Sequence, residues 1–473
     1  MNLSNTPTVA TPSPRMAELE AKRALCRSLL GGTAAMVAAG KTWLPQHPGE
    51  SDGNFHVRLT GNTLTHFLEQ AVSKATNRIM AKEIGLTDIP PEIELLLEDI
   101  DLQGRDLNAF SMDVLKSAFA DGVTYILCDK PNAAEVKTVA DEKAAGIRPY
   151  AIHVQSCCLL EPMSEIINGI RTLTRVRIME CTMVPDGKWG YTEKEHVRVL
   201  IRQPNGLITY EIHEEQERQG TIGKEWVVIE EGATAMKRIA LVPVYTNRVG
   251  YMEGLPPFQA TAELNLEHWR SKSEQLHALS WGRFAMVKAT GVSDEWVPNI
   301  GPSIVLRSSD PDADFGLVEC TGAGLDQGWK HLEGITAQID TASANLRVEN
   351  GGRVSATAAA LDSEEGCAGL KAVAESFGDS LELMLSYFAE MMGLDSANTG
   401  DVEVNSDMGS RHGSDTGMQE LGKMRAMGDI SRASYIKSMI WRNELQPDFD
   451  IDANNEEIGM EGPPEPTSTL PVV

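Results

Sequence analysis

The chain has 473 residues and a mass of 51.5 kDa, and its 42 Lys and Arg stand against 68 Asp and Glu, which gives a formal net charge of −26. An acidic excess of this size argues against a protein that grips nucleic acid over a broad basic surface, but it allows one past which DNA slides. Hydrophobic residues make up 42% of the chain and aromatics only 5%, so aliphatic packing is expected to dominate a substantial core. The length corresponds to roughly three domain-sized units.

Seven cysteines are scattered along the chain, whereas disulfide frameworks belong to short secreted domains, so reduced thiols are expected. No C-x-x-C pair occurs, and the adjacent Cys157 and Cys158 would point to opposite faces of a strand. A structural zinc site is therefore not expected. No run approaches the ~18 apolar residues of a membrane span, and the sequence predicts a soluble, intracellular protein.

The first quarter of the chain predicts helices. Residues 1–15 are rich in Pro, Thr and Ser and predict a flexible arm. Helical periodicity predicts helices over about 17–39, with an interruption at Gly31 and Gly32, and over about 62–82. A further amphipathic helix is predicted over 106–120, ending where Gly122 gives a stop signal.

Residues 122–247 change to short segments rich in β-branched side chains, separated by turn signals. Three of these signals are the dipeptides at 186–187, 205–206 and 231–232, each of which ends in glycine. The region predicts a mainly β structure with antiparallel pairing.

Helical periodicity returns after this β-rich block. Pro256 and Pro257 open a predicted helix over about 256–284. A strand-and-turn insert over 285–325 separates it from a second helix over about 329–346, and the strongly periodic stretch 355–392 predicts a long helix. Residues 418–427 and 432–441 predict a helical hairpin before a Pro-rich tail.

One short motif suggests nucleotide binding but lacks the necessary residues. Gly40-Lys41-Thr42 is similar to the end of a phosphate-binding loop, but Ala35 stands where that motif needs glycine. The preceding segment also predicts a helix, whereas the phosphate loop follows a buried strand. The sequence therefore does not predict a nucleotide site.

The remaining chemistry-bearing motifs are incomplete as well. The alternating aspartates at 448, 450 and 452 are similar to a calcium loop, but Ala453 and Gly459 replace the glycine and glutamate that the loop requires. No Ser/His/Asp or Cys/His arrangement can be argued from the spacing. The sequence predicts a chain committed to shape and assembly: not an enzyme, with no catalytic residues, no cofactor and no metal.

The order of several local segments resembles the portal proteins of tailed double-stranded-DNA bacteriophages, the head-to-tail connectors at a capsid vertex. The resemblance spans about residues 41–455. Its local matches are residues 43–46 (WLPQ) with Glu50 and Arg58, residues 121–129, 239–245, 264–269, 352–356 and 427–431.

The resemblance implies an α+β, portal-like fold with a mainly helical stem, a long wing helix, a helical crown, a β-rich wing and a small α/β clip. Mapped onto this sequence, it gives an N-terminal arm (1–40), a wing that is helical and then β-rich (41–255), a first stem helix (256–284), a clip (285–325), a second stem helix (326–345), a tunnel loop (346–354), a long wing helix (355–395), and a crown with the C-terminal tail (396–473).

The implied function is a homo-oligomeric ring, usually of twelve copies, at one vertex of the virion capsid, assembled in the host cytoplasm. Such a ring is the channel for genome packaging and ejection, and double-stranded DNA passes through it without sequence specificity. The implied partners are the terminase, then a head-completion or tail adaptor protein, and the major capsid or scaffold protein, with no membrane. Twelve copies would carry on the order of −300 charges, which favours sliding of DNA over sticking.

The resemblance also implies two sets of site residues. The tunnel loop would present polar and glycine residues to DNA, and the acidic clip would dock partners on exposed turn-rich backbone. The tunnel-loop set is Arg347, Glu349, Asn350, Gly351, Gly352 and Arg353, and the clip set is Asp294, Glu295, Asp310, Asp312 and Asp314.

Several alternatives stay open on the sequence. A DNA-packaging ATPase or nuclease is disfavoured because no phosphate loop and no acidic metal cluster are found. Another capsid-associated structural protein is disfavoured because a shell does not need two long helices around a small insert. The helix over 256–284 fits an amphipathic surface helix as well as a channel wall, and the loop over 347–353 fits a plain interhelical connection as well as a DNA contact.

Overall fold

The computed structural model describes residues 7–131, 146–217, 224–234, 236–283, 286–290, 312–318, 323–344, 356–396, 399–406, 422–427, 430–441 and 454. The chain divides into two compact units, residues 1–408 and residues 409–473, which are described separately. Helices and antiparallel sheets are mixed in the first unit, which confirms the α+β class.

The N-terminal helices begin and end at residues whose side chains or backbone favour those boundaries. Ser13 and Asp106 each accept a hydrogen bond from a backbone N–H of the first turn, at Met16 and Ala109 respectively. Gly31 separates the first two helices, and Gly122 ends the sixth in a left-handed conformation. The helices are α1 (Pro14–Leu30), α2 (Gly32–Ala39), α3 (Asp52–Thr60), α4 (Phe67–Ile79), α5 (Pro91–Glu94) and α6 (Leu107–Asp121).

Most of these helices follow the sequence prediction. The interruption at Gly31 and the helix over 106–120 are confirmed, and the predicted helix over 62–82 is present but shorter, as α4. Residues 7–15 were expected to form part of a flexible arm, and this is wrong. Arg177 donates a hydrogen bond to the Val9 carbonyl at 2.6 Å, the Ser13 N–H bonds to the Leu160 carbonyl, and α1 already begins at Pro14.

The core of the first unit lies between helices and a small buried sheet. In that sheet β2 (Val123–Asp129) is paired antiparallel on one side with β3 (Tyr150–Val154) and on the other with β9 (Leu241–Tyr245). Its apolar side chains pack in one continuous core with α1, α4 and α6.

A second, larger sheet is an antiparallel meander, as the β-rich block predicts. Its strands, in spatial and chain order, are β4 (Leu159–Ile167), β5 (Ile170–Asp186), β6 (Gly190–Arg202), β7 (Ile208–Glu217) and β8 (Lys224–Thr234). The turns predicted at 186–187 and 205–206 are confirmed. Three short antiparallel pairs complete the described strands: β1 (Gly85–Thr87) with β14 (Asp401–Glu403), β10 (Arg248–Gly250) with β11 (Glu253–Gly254), and β12 (Met286–Thr290) with β13 (Asp314–Val318).

Two local expectations for the β region are wrong. The dipeptide at 231–232 continues strand β8, because Gly232 leaves room for the ring of Tyr210 on the neighbouring strand; a Cβ there would lie 2.7 Å from that ring. Cys157 and Cys158 lie in a 3₁₀ turn between β3 and β4, not on a strand, and their sulfur atoms are 3.8 Å apart.

Long helices follow the sheets: α7 (Gln259–Arg283), α8 (Ala323–Ala344) and α9 (Ala356–Met392). They match the predicted helices over 256–284, 329–346 and 355–392, except that α8 begins six residues before its predicted start; the other ends agree to within three residues. Phe377, Leu381 and Phe388 of α9 are fully buried in the core. In the second unit, residues 422–427 are helical and α10 spans Arg432–Trp441, as predicted for 432–441. No helix among the described residues is long and apolar enough to cross a membrane.

Candidate functional site

Two antiparallel helices, α7 and α8, and the paired strands β12 and β13 between them in the sequence are together called the helical arm, by which we mean the described residues of 259–344. Across the two helices, the Gln275 side chain donates a hydrogen bond to the Leu325 carbonyl at 2.7 Å. Gly328 permits this close approach, because a Cβ at that position would lie 1.9 Å from the Gln275 amide oxygen. Beyond the helices, Met286 pairs with Val318 to start the β12–β13 hairpin. The arm therefore consists of two helical legs with a hairpin at its far end.

The first half of α7 belongs to the core. Ala262, Leu266 and Trp269 are buried, with the Trp269 side chain fully enclosed in the core that this helix shares with α1, α3 and α4. The second helix, α8, buries only one stripe, formed by Leu332, Ile335 and Ile339 at helical spacing. The interpretation of residues 256–284 as an amphipathic surface helix, given above as the alternative to a channel wall, therefore fits the first half of α7.

Polar contacts fix this first half of α7 to the loops that flank α3; we call these loops together with residues 259–273 the root. The Arg270 guanidinium donates to the Trp43 carbonyl at 2.6 Å, and the Lys272 ammonium donates to the Thr63 carbonyl at 2.8 Å. The Asn265 amide bridges two groups, accepting from the Leu68 N–H at 3.1 Å and donating to the Thr65 carbonyl at 3.0 Å. Asn265 is fully buried, and a buried polar side chain whose hydrogen bonds are satisfied in this way holds a helix in one orientation.

A buried ion pair shapes the loop that supplies the Trp43 carbonyl. The Arg58 guanidinium donates to both oxygens of Glu50, at 2.9 and 2.8 Å, and also to the Pro45 carbonyl at 2.8 Å. Both side chains are almost wholly buried. The hydrogen bonds from Arg58 lower the pKa of Glu50 to about 2. The sequence match at 43–46, Glu50 and Arg58 thus corresponds to one structural unit that seats α7.

A second polar cluster lies where the chain enters α7. Asp121 is buried and accepts two hydrogen bonds of 2.9 Å from Arg27 and one of 2.7 Å from Ser156. The buried Arg23 bridges the Asp121 carbonyl at 3.1 Å and the Gly254 carbonyl at 2.7 Å, and burial lowers the pKa of its guanidinium. Arg23 thereby links the end of α6 to the segment just before α7, although these two elements are far apart in the sequence.

Sequence reasoning missed the role of Arg23 and Arg27. They flank an apolar stretch, and their four-residue spacing on α1 places both on one helix face, which was the available signal.

Gly122, which follows Asp121, has φ +84°, and a Cβ there would lie 2.0 Å from the Leu255 carbonyl oxygen. Only glycine fits where α6 passes the start of α7.

Most of the predicted site residues lie outside the described residues. This holds for the whole tunnel-loop set and for part of the clip set, namely Arg347, Glu349, Asn350, Gly351, Gly352, Arg353, Asp294, Glu295 and Asp310. Asp312 and Asp314 are described, and both are exposed at the end of the β12–β13 hairpin that is farther from the helices. Their assigned roles remain predictions.

The described parts of the chain also test the short motifs that could indicate nucleotide or metal binding. Gly40–Thr42 forms a 3₁₀ turn directly after α2, so it does not follow a strand as a phosphate loop would. Within the described ranges, no group of three or more His, Cys, Asp or Glu side chains is arranged to hold a metal ion.

Comparison with known proteins gives a partial match to one family. A family model matches residues 257–392. It is described as a domain of unknown function (DUF4055), and the matched segment runs from the start of α7 to the end of α9. No curated protein matches the chain.

Two solved structures are similar to the chain at very low identity. The neck of an empty GTA (gene transfer agent) particle, computed with C6 symmetry, is 9% identical with a TM-score of 0.42, covering 86% of this chain and 98% of that chain. The neck of a native GTA particle, computed with C12 symmetry, is 9% identical with a TM-score of 0.41, covering 87% of this chain and 98% of that chain. These values describe a partial similarity in the path of the backbone.

Proposed function

We propose that this chain is the subunit of a portal-type ring at a capsid vertex, and that the helical arm forms the wall of a channel for double-stranded DNA. The observation that carries the proposal is the arm itself: two antiparallel helices, rooted in the core at one end, that hold a strand hairpin at the other. A globular domain has no need of such an excursion, whereas a ring needs one rigid, elongated element per copy to enclose a passage.

The surface charge of the two helical legs suits a passage for DNA. Among their described side chains, the exposed acids outnumber the exposed bases. The exposed acids are Glu263, Glu267, Glu274, Asp326, Glu333 and Asp340, and Lys330 is an exposed base. A mainly negative wall repels phosphate, and few cations limit the number of counterions that DNA releases on contact, so DNA slides and does not stick.

The ends of the arm would meet different partners. The β12–β13 hairpin, with the exposed Asp312 and Asp314, would dock the terminase during packaging and an adaptor protein afterwards. Residues 346–354, which connect α8 to α9, would form the tunnel loop, where Arg347 and Arg353 touch the DNA backbone.

Deletion of residues 349–352 tests the channel assignment in cells that produce the particle. We expect purified rings to keep their size and shape, because the deletion leaves the root and both helical legs intact, while packaged or retained DNA falls. Loss of the rings would make this segment a structural turn, and unchanged DNA content would remove it from the channel. ATP hydrolysis by the purified chain above a no-protein background would contradict a purely structural role.

A further inference from the structure

The β5–β6 hairpin extends beyond the rest of its sheet. Pairing of β5 with β4 stops at Ile178, and pairing of β6 with β7 starts at His196, so residues 181–195 pair only with each other among the described strands. We call this two-stranded extension the tip ribbon. An isolated two-stranded ribbon has little stability of its own in water, so packing against another surface would stabilise it.

Near its turn, one face of the tip ribbon is apolar and exposed. Met183, Pro185 and Tyr191 lie on this face, where Pro185 is directly opposite Tyr191, and Glu193 and Glu195 continue the same face farther from the turn. Trp189 follows at the turn and is 84% exposed, with the Lys188 ammonium 5.0 Å from its ring centroid. Contiguous exposed apolar side chains of this kind mark an interaction surface, and tryptophan is enriched at the centres of such surfaces.

A cavity elsewhere in the same unit has complementary properties. It measures about 440 Å³ and lies between α5, the start of α6 and β1, with Ile84, Leu97 and Leu107 forming its apolar floor. Leu95 stands at its mouth and is 70% exposed. The cavity is large enough for an indole, and burying one there would remove a large apolar area from water.

The rim of this cavity is acidic. Glu94, Glu98 and Asp106 line it, and all three are exposed. Asp106 caps α6 by accepting from the Ala109 N–H, whereas Glu94 and Glu98 form no ion pair with any described residue. The cation Lys188, which sits beside Trp189, therefore meets two carboxylates whose charge the described part of the chain does not balance.

We propose that Trp189 of one copy inserts into this cavity on a second copy, with Lys188 facing Glu94 and Glu98. The proposal rests on the proposed ring, and it names one contact between neighbouring subunits. The two surfaces differ, so the contact is heterologous and propagates around a closed ring. Of the acids in the tip ribbon, Asp186 accepts a hydrogen bond from the Thr192 hydroxyl at 3.2 Å, and Glu193 and Glu195 lie farther along the ribbon from the turn that holds Lys188 and Trp189.

The first test compares Trp189→Ala with Ile170→Ala in the full chain by mass photometry over a concentration series. Ile170 is a matched control, since it is 70% exposed at the turn of the neighbouring β4–β5 hairpin. We expect Trp189→Ala to need at least tenfold more protein to assemble and Ile170→Ala to behave as wild type. Rings that assemble equally well with Trp189→Ala would overturn the contact and leave the proposed ring intact, whereas an unassembled wild type would contradict the ring.

A charge exchange adds specificity to this test. Lys188→Glu alone, and Glu94→Lys with Glu98→Lys, should each weaken assembly severalfold, and the triple variant should recover most of the loss. Additive losses with no recovery would contradict the pairing.

A photocrosslink reads the contact independently of ring formation. Benzoylphenylalanine in place of Trp189 should crosslink to residues 84–108 of an isotopically distinct copy. Crosslinks only to other segments, or none between copies, would overturn the proposal.

Discussion

The root of α7 and the tip ribbon use similar residues in opposite ways. At the root, Trp269 is fully enclosed, and the neighbouring Arg270 and Lys272 side chains donate to backbone carbonyls of the loops that flank α3. At the tip ribbon, Trp189 and Tyr191 face solvent, and neighbouring strands stop short of them. The difference indicates that the root stabilises the folded chain, whereas the tip ribbon is the segment for which we propose contacts between subunits.

Replacing the two tryptophans separates these roles most strongly. Trp269→Ala should lower the free energy of unfolding by about 3–5 kcal/mol, because it leaves a large cavity in the core. Trp189→Ala should change it by less than about 0.5 kcal/mol, since the indole is almost wholly exposed to solvent. Urea unfolding followed by circular dichroism, at a concentration where the chain is unassembled, measures both. If both variants lose the same free energy of unfolding, the proposed difference between the root and the tip ribbon is wrong.

The junction before α7 offers a finer test. Gly122→Ala should cost about 3 kcal/mol, because the added Cβ meets the Leu255 carbonyl in addition to the strain of a positive φ. Gly104 is the matched control: its φ is also +84°, but nothing lies within 4 Å of an added Cβ. Gly104→Ala should therefore cost only the backbone strain of about 1 kcal/mol. If thermal unfolding shows equal losses, the close approach of α6 to α7 is not a constraint.

The smallest effect concerns the pH dependence of the root. Folding lowers the pKa of Glu50 to about 2, so its ion pair with Arg58 contributes stability that is present above the ordinary glutamate pKa of about 4.3 and is lost as pH falls towards 2. The difference in unfolding free energy between wild type and Glu50→Gln should therefore be largest near neutral pH and shrink below about pH 4. A difference that stays constant down to pH 2 would mean that Glu50 is not paired in solution.

Local sequence patterns were sufficient where an element is specified by its own residues. Helix α6 has its cap at Asp106 and its stop at Gly122, and α9 has an apolar stripe from Leu370 to Met391, so the sequence predicts both closely. Prediction failed where a distant residue decides the outcome. Tyr210 of the neighbouring strand keeps Gly232 in β8, and Arg177 holds residue Val9 against the sheet.

The candidate site also combines elements that their own residues specify with contacts that depend on distant residues. The two legs of the arm could be predicted from periodicity, but the residues that anchor it could not, because Arg23 and Arg58 act through carbonyls and carboxylates of other segments. The outward direction of the apolar face of the tip ribbon could not be predicted either. Alternation fixes which side chains share a face, but only the end of pairing with β4 and β7 shows that this face is uncovered.

Imaging the purified full-length chain, after its mass has been measured by light scattering at micromolar concentration, tests the proposed ring most directly. We expect closed rings of about twelve copies with a central channel, since a heterologous contact that closes produces a ring. A chain that stays monomeric or dimeric over a range of salt and temperature, with no rings in the images, would contradict it.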